Sequence, residues 1–174
     1  MKNLTIKAKL TILSSLLFAS LLFVGIKAIF DLRKIDEGLE TMYYERVIPL
    51  EQLKNVSDAY AIQFVDVAHK AYHDLITYNE ALADLEEATQ IVSEYWGAYE
   101  QLHHEGHEKE MMQEAIELRK ESKATYEHLV AIIRQGKSEE SHQQLDELIK
   151  NELYQTIDPY TAKISELIHE QLEI

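Results

Sequence analysis

Three pairs in this chain have the Glu-x-x-His spacing that places both side chains on one helix face: Glu100/His103, Glu139/His142 and Glu166/His169. Paired motifs of this kind hold di-metal centres in helical bundles, which makes a metal- or haem-handling bundle one reading of the sequence. Asp66, His69 and His73 add another possible helical face, and His103, His104 and His107 cluster in "HHEGHE". Chance accounts for about one such pair among eight histidines and this many glutamates. The helix order derived below sends Glu139/His142 and Glu100/His103 to opposite ends of a bundle, roughly 30 Å apart. They cannot share one centre, and no metal or cofactor is expected.

Other chemistries have less to stand on. The chain has no cysteine, which removes a thiolate nucleophile, a disulfide framework and a Cys-ligated metal. It carries no phosphate-binding glycine loop, no Ser-His-acid order and no zinc-protease signature. Nothing points to an enzyme. Charge excludes a further class. Residues 1–30 hold four lysines and no acid, whereas the remaining 144 hold 13 Lys+Arg against 31 Asp+Glu. Nucleic acid, whose phosphates need clustered cations, is not an expected partner.

The elements that must position these residues are helices. Two prolines, five glycines and abundant Leu, Ala, Glu, Lys and Gln favour helix throughout the 174 residues. The stretch 10–30, "LTILSSLLFASLLFVGIKAIF", is 21 residues and about 31 Å long, and its one charge, Lys27, lies within a turn of the end. Lys2, Lys7 and Lys9 precede it, so residues 1–9 are expected in the cytoplasm and residues 31–174 outside. No small-x-small cleavage site follows, since Ile26 stands two residues before Ala28, and the segment is read as an uncleaved anchor. The outer compartment is periplasm if the cell has an outer membrane.

After the anchor, apolar residues recur in steps of three and four. The first stripe runs Leu32, Ile35, Leu39, Met42, Leu50, Leu53, Val56, Tyr60, Phe64, Val67, Ala71, Leu75. The second opens on a Thr77/Glu80 capping box and runs Leu82, Leu85, Thr89, Val92, Trp96, Tyr99, Leu102. The third runs from Met111 to Ile132 and stops at "RQGKSEE", where Gly136 suits a helix end and Ser138 the next N-cap. The fourth carries Leu145, Ile149, Leu153, Ile157, Tyr160, Ile164 and Leu167. Short connections make neighbours antiparallel. The expected fold is all-α, an up-down-up-down four-helix bundle preceded by a transmembrane helix continuous with its first helix.

Three stretches in this frame, "YYERVIPLEQLKNVSDAYAIQFVDVAHKAYHD", "TYNEALADLEEA" and "LYQTIDPYTAKISELI", are similar to the ligand-binding region of bacterial methyl-accepting chemotaxis proteins of the four-helix-bundle type. The resemblance covers anchor and bundle. It implies a homodimeric inner-membrane sensor that detects an extracytoplasmic small molecule and displaces its fourth helix. The signal would pass to cytoplasmic chemotaxis machinery through a region beyond Ile174. The same module on a histidine kinase or cyclase is the alternative. Pro49 and Pro159 match the resemblance and are expected to kink the helices that lead to the membrane. Relatives that bind amino acids clamp a carboxylate with arginines of the first helix, but Val56–Tyr72 contains no Arg, so that clamp does not carry over. The ligand site is expected between the distal half of the first helix and the start of the fourth, with Asn55, Asp58, Tyr60, Gln63, Asp66, Tyr154, Thr156 and Tyr160 as its polar residues. Asp58 and Asp66 suit a cationic or hydroxylated ligand.

Overall fold

The computed structural model describes residues 5–173; Lys2 and Ile174 lie outside them. The chain divides into two units, the first ending at Glu45 and the second beginning at Arg46. The first unit is essentially helix α1, Ile6–Met42, opened by Thr5, whose hydroxyl accepts the Ala8 N–H. None of its residues is buried. It includes the one stretch, among the described residues, long and apolar enough to cross a membrane. Leu32, Ile35, Leu39 and Met42, which continue the bundle stripe in sequence, are all more than half exposed.

The second unit is the bundle. Its first helix comprises α2 (Ile48–Asp58) and α3 (Val65–Tyr72), joined by a π-helical turn at Ala59–Phe64. Its second is α4 (Tyr78–Glu100) and its third α5 (Gly106–Arg134). The fourth comprises α6 (Glu139–Leu148) and α7 (Tyr154–Glu173), joined by a second π turn at Ile149–Leu153. The described residues contain no strand.

Turn chemistry explains the boundaries. Asp74 ends the first helix in the left-handed region (φ 59°), with the Leu75 N–H donating back to the Lys70 carbonyl. Aspartate tolerates that region better than most side chains because its short polar group bonds locally. The expected capping box starts α4: the Glu80 N–H donates to the Thr77 hydroxyl, and the Thr77 N–H donates to Glu80 Oε2 at 2.8 Å. Gly136 (φ 80°) ends α5 as a left-handed cap, and Ser138 opens α6 in a capping box closed by Ser141. Asp74 and Lys137 then pair across the two turns of that end at 2.5 Å.

The prolines sit where their missing N–H costs least. Pro49 is the second residue of α2, immediately after a π turn at Tyr43–Val47 that interrupts the regular ladder. An orphan donor position there needs no α-helical partner. Pro159 lies inside α7, but it and Gln155, whose carbonyl it frees, are both exposed to water.

The core follows the predicted stripes with small shifts in phase. Leu53, Val56, Leu85, Trp96, Tyr99, Leu129, Leu145, Leu153, Ile157 and Tyr160 are essentially inaccessible. In α4 the inward position is Ala88, fully buried, rather than Thr89, which is exposed and returns its hydroxyl to the Leu85 carbonyl. Leu75 is 72% exposed because the helix has already turned at Asp74.

Candidate functional site

Halfway along the bundle the core is aromatic rather than aliphatic. The π turn at Ala59–Phe64 places Tyr60 and Phe64, four residues apart, both inward, with ring centroids 4.8 Å apart and edge to face. Tyr60 meets Tyr160 of α7 at 4.6 Å, also edge to face, and Phe64 stacks on Tyr126 of α5 at 4.6 Å. Trp96 of α4 closes the layer against Tyr160 at 6.0 Å. Such pairs prefer these offset geometries and add a modest increment to simple burial.

A cation enters this layer. The Arg119 guanidinium lies over the Trp96 ring, 5.7 Å from its centroid, and beside the Tyr60 hydroxyl. Burial raises the pKa of Tyr60, while Arg119 opposes the rise. Burial likewise drives the Tyr160 hydroxyl far above its ordinary range, with Tyr60 adding to the effect, Arg119 opposing it and Glu100 adding again. Both hydroxyls therefore stay protonated and able to donate. Arg119 Nε, Trp96 Nε1 and the Tyr160 hydroxyl are buried and have no hydrogen-bond partner among the described residues. Arg119 also has no carboxylate within ion-pair distance among them.

The sequence-predicted site residues divide between this layer and the surface. Tyr60 and Tyr160 meet in it. Gln63 stands on the same π turn, and its buried Oε1 lacks a partner among the described residues. Thr156 faces α5: its hydroxyl donates to Thr125 Oγ1 at 2.9 Å, and its carbonyl accepts from Ser122 at 2.8 Å. Asn55 donates to the Glu51 carbonyl on its own helix, and Asp58 pairs with Lys54. Asp66 pairs with Lys70 at 2.6 Å and draws the lysine pKa upward. Tyr154 is exposed and shares a 2.7 Å hydrogen bond with His69. The eight residues thus form no single cluster, and both aspartates are already balanced by lysines one turn away.

Sequence reasoning missed Arg119 and Trp96 as polar partners. Arg119 falls four residues after Ala115 and three before Ser122, both buried, so a charged residue at core spacing was the available signal.

The opposite polar character marks the end of the bundle where α4 gives way to α5. There Glu108 Oε1 accepts from the Tyr99 hydroxyl at 2.8 Å, from Gln171 Nε2 at 2.6 Å and from His104 Nδ1 at 2.8 Å. His104 Nε2 lies 2.8 Å from the Tyr99 carbonyl oxygen. Arg46 donates to Gln171 Oε1 at 3.0 Å, so this network draws together the ends of all four bundle helices. Burial, and then the bond to Glu108, pushes the Tyr99 hydroxyl strongly upward.

The possible metal ligands stay apart. Among the described residues no three His, Asp or Glu side chains gather around a point that could hold a metal ion. His142 stacks on Tyr72 at 4.6 Å, and His103 pairs with Glu105 in the loop. The metal-handling alternative finds no ligand set in them.

A family model described as a four-helix-bundle sensory module for signal transduction matches residues 3–174. The chain belongs to that family. The chain is also similar to the methyl-accepting chemotaxis protein NahY of Pseudomonas putida, 29% identical over 173 residues, which are 99% of this chain and 31% of that protein. It thus spans about a third of the length of the curated relative it matches. No solved structure matches it. The resemblance read from the sequence is therefore upheld: this is a four-helix-bundle sensory module of the chemotaxis-receptor type, carrying one helix able to cross a membrane.

Proposed function

We propose that the chain is the sensing end of a membrane-anchored chemoreceptor. Residues 10–30 span the inner membrane, residues 1–9 face the cytoplasm and the bundle stands outside, in the periplasm where there is one. The bundle binds a small molecule and works as a homodimer. Binding displaces the fourth helix against the first, and the displacement reaches cytoplasmic chemotaxis machinery through a part of the receptor after residue 174. The module carries out no reaction. Its ligand need only bind one packing of the helices better than another.

The observation that carries this reading is the contrast between the units. An apolar helix with no buried residue precedes a bundle that buries its own stripe and is strongly acidic outside. An all-round apolar helix with nothing to cover it is a helix for lipid.

Sidedness is directly testable, because the chain has no native cysteine. With single cysteines at Thr5→Cys and Asp74→Cys, a membrane-impermeant maleimide added to spheroplasts labels the second and spares the first until the cells are lysed. Labelling of Thr5→Cys from outside, with Asp74→Cys protected, contradicts the reading. A disulfide between copies carrying Ile62→Cys, whose native side chain is 57% exposed on the first bundle helix, reports the dimer.

A further inference from the structure

We propose that His104 and Glu108 form a proton-binding site. The pair holds one proton between imidazole and carboxylate, and losing it to less acidic surroundings loosens the end of the bundle where α4 gives way to α5. What that loosening signals rests on the sensory reading; the proton site itself does not.

The hydrogen-bonding atoms call for the proton. The His104 side chain is only 4% exposed, and its ring is held on both sides. Nε2 lies 2.8 Å from the Tyr99 carbonyl oxygen, which can only accept. Nδ1 lies 2.8 Å from Glu108 Oε1, which also accepts from the Tyr99 hydroxyl and from Gln171 Nε2. A neutral imidazole offers one N–H and one bare nitrogen, and an ionised carboxylate only accepts. Those two species together would set lone pair against lone pair at one of the two contacts. One added proton removes the conflict, whether it completes an imidazolium or turns Glu108 into an acid that donates to Nδ1. The proton therefore belongs to the pair rather than to either residue.

The charged and titratable groups facing the ring are few. Glu108 comes from α5, and Tyr99, whose ring centroid lies 4.7 Å from that of His104, comes from α4. From α7 comes Gln171, which is uncharged, and the Arg46 guanidinium reaches Glu108 only through that glutamine. His103 and Glu105 of the same loop pair with each other at the surface. When the proton leaves for water, the carboxylate keeps a largely buried charge and one contact to the ring is lost. The Tyr99 carbonyl has a second donor in the Leu102 N–H at 3.0 Å, so its contact is the one the site can give up. His104 then leaves the end of α4, and the connection to α5 opens. Gln171 shares the same carboxylate oxygen, so the change reaches the end of α7.

The test uses the full chain in lipid nanodiscs, labelled with 15N at histidine and 13C at glutamate carboxyls, followed by NMR from about pH 5 to 8. At the acid end the pair should carry its extra proton, seen as a second His104 ring N–H or as a protonated Glu108, and should lose it as pH rises. Over the same range, amide exchange between Tyr99 and Glu108 should accelerate by about fivefold beyond the intrinsic effect of hydroxide. His104→Gln should abolish that extra acceleration, and His103→Gln, at an exposed neighbour, should leave it unchanged. Should His104→Gln fail to fold, Glu108→Gln replaces it; it removes the carboxylate and should likewise flatten the response. A neutral His104 beside an ionised Glu108 at every pH, no extra acceleration in wild type, or a response that persists in His104→Gln overturns the site. That failure with normal sidedness labelling removes the proton site and leaves the sensory reading standing. Inverted sidedness with an intact response does the reverse.

Discussion

The bundle treats its two buried polar regions in opposite ways. Around Glu108 every donor finds an acceptor, and one carboxylate oxygen takes three hydrogen bonds from three other segments. Around Trp96, the indole N–H, the Tyr160 hydroxyl and Arg119 Nε have no partner among the described residues. Satisfied networks rigidify, because each member loses its partner if any one moves. Unsatisfied donors add no such tie. The first region reads as a clamp that holds the ends of the four helices in register, and the second as a layer held by ring packing.

The comparison breaks most visibly at Glu108. Glu108→Ala would leave the buried His104 ring and the Tyr99 hydroxyl without their shared acceptor, at a cost of about 3 kcal/mol. In thermal denaturation the bundle midpoint should fall by about 10 °C. A drop no larger than that of an ordinary surface substitution would show that the network is not a clamp.

A matched pair sharpens the point. Tyr99→Phe removes a satisfied hydroxyl and should cost about 1 kcal/mol, whereas Tyr160→Phe removes an unsatisfied one and should cost nothing or stabilise slightly. Equal losses in chemical denaturation would erase the difference between the two regions. The smallest effect belongs to the exposed tie at the far end, where Lys137 holds the Asp74 carboxyl below its ordinary range. A carboxyl depressed in the folded state contributes stability that is complete above its unfolded value and lost as pH falls through the folded one. Asp74→Asn should therefore lower the midpoint slightly at neutral pH, and the gap to wild type should close as pH falls below the usual carboxylate range.

The sequence made the helices, their order and their turns legible because each signal was local. The Thr77/Glu80 box, Gly136 and the Ser138 cap all stand where short-range chemistry put them. The π turns were also written there, though less plainly. Val56, Tyr60 and Phe64 advance by fours, as do Leu145, Ile149, Leu153 and Ile157, and each turn accommodates such a run. An ordinary helix of 3.6 residues per turn drifts off its stripe under repeated steps of four, and one wider turn restores it. The extent of the bundle was harder to see. The spacing of Leu32–Met42 continues the bundle stripe, yet periodicity says only that one face is apolar and not what covers it. The polar residues divided for a similar reason. Whether Asp58 faces a ligand or Lys54 depends on a neighbour one turn away, but the approach of Arg119 to Trp96 depends on two helices meeting, which no single stretch encodes.

Thermal denaturation of Arg119→Met beside wild type and Glu108→Ala tests the contrast most directly. Exchanging a partly buried cation whose Nε lacks a partner for an apolar side chain of similar length removes a desolvation cost that outweighs the cation–π attraction to Trp96. The variant should therefore be at least as stable as wild type, while Glu108→Ala melts well below it. If Arg119→Met melts as far below wild type as Glu108→Ala does, Arg119 is a satisfied part of the core and the contrast is lost.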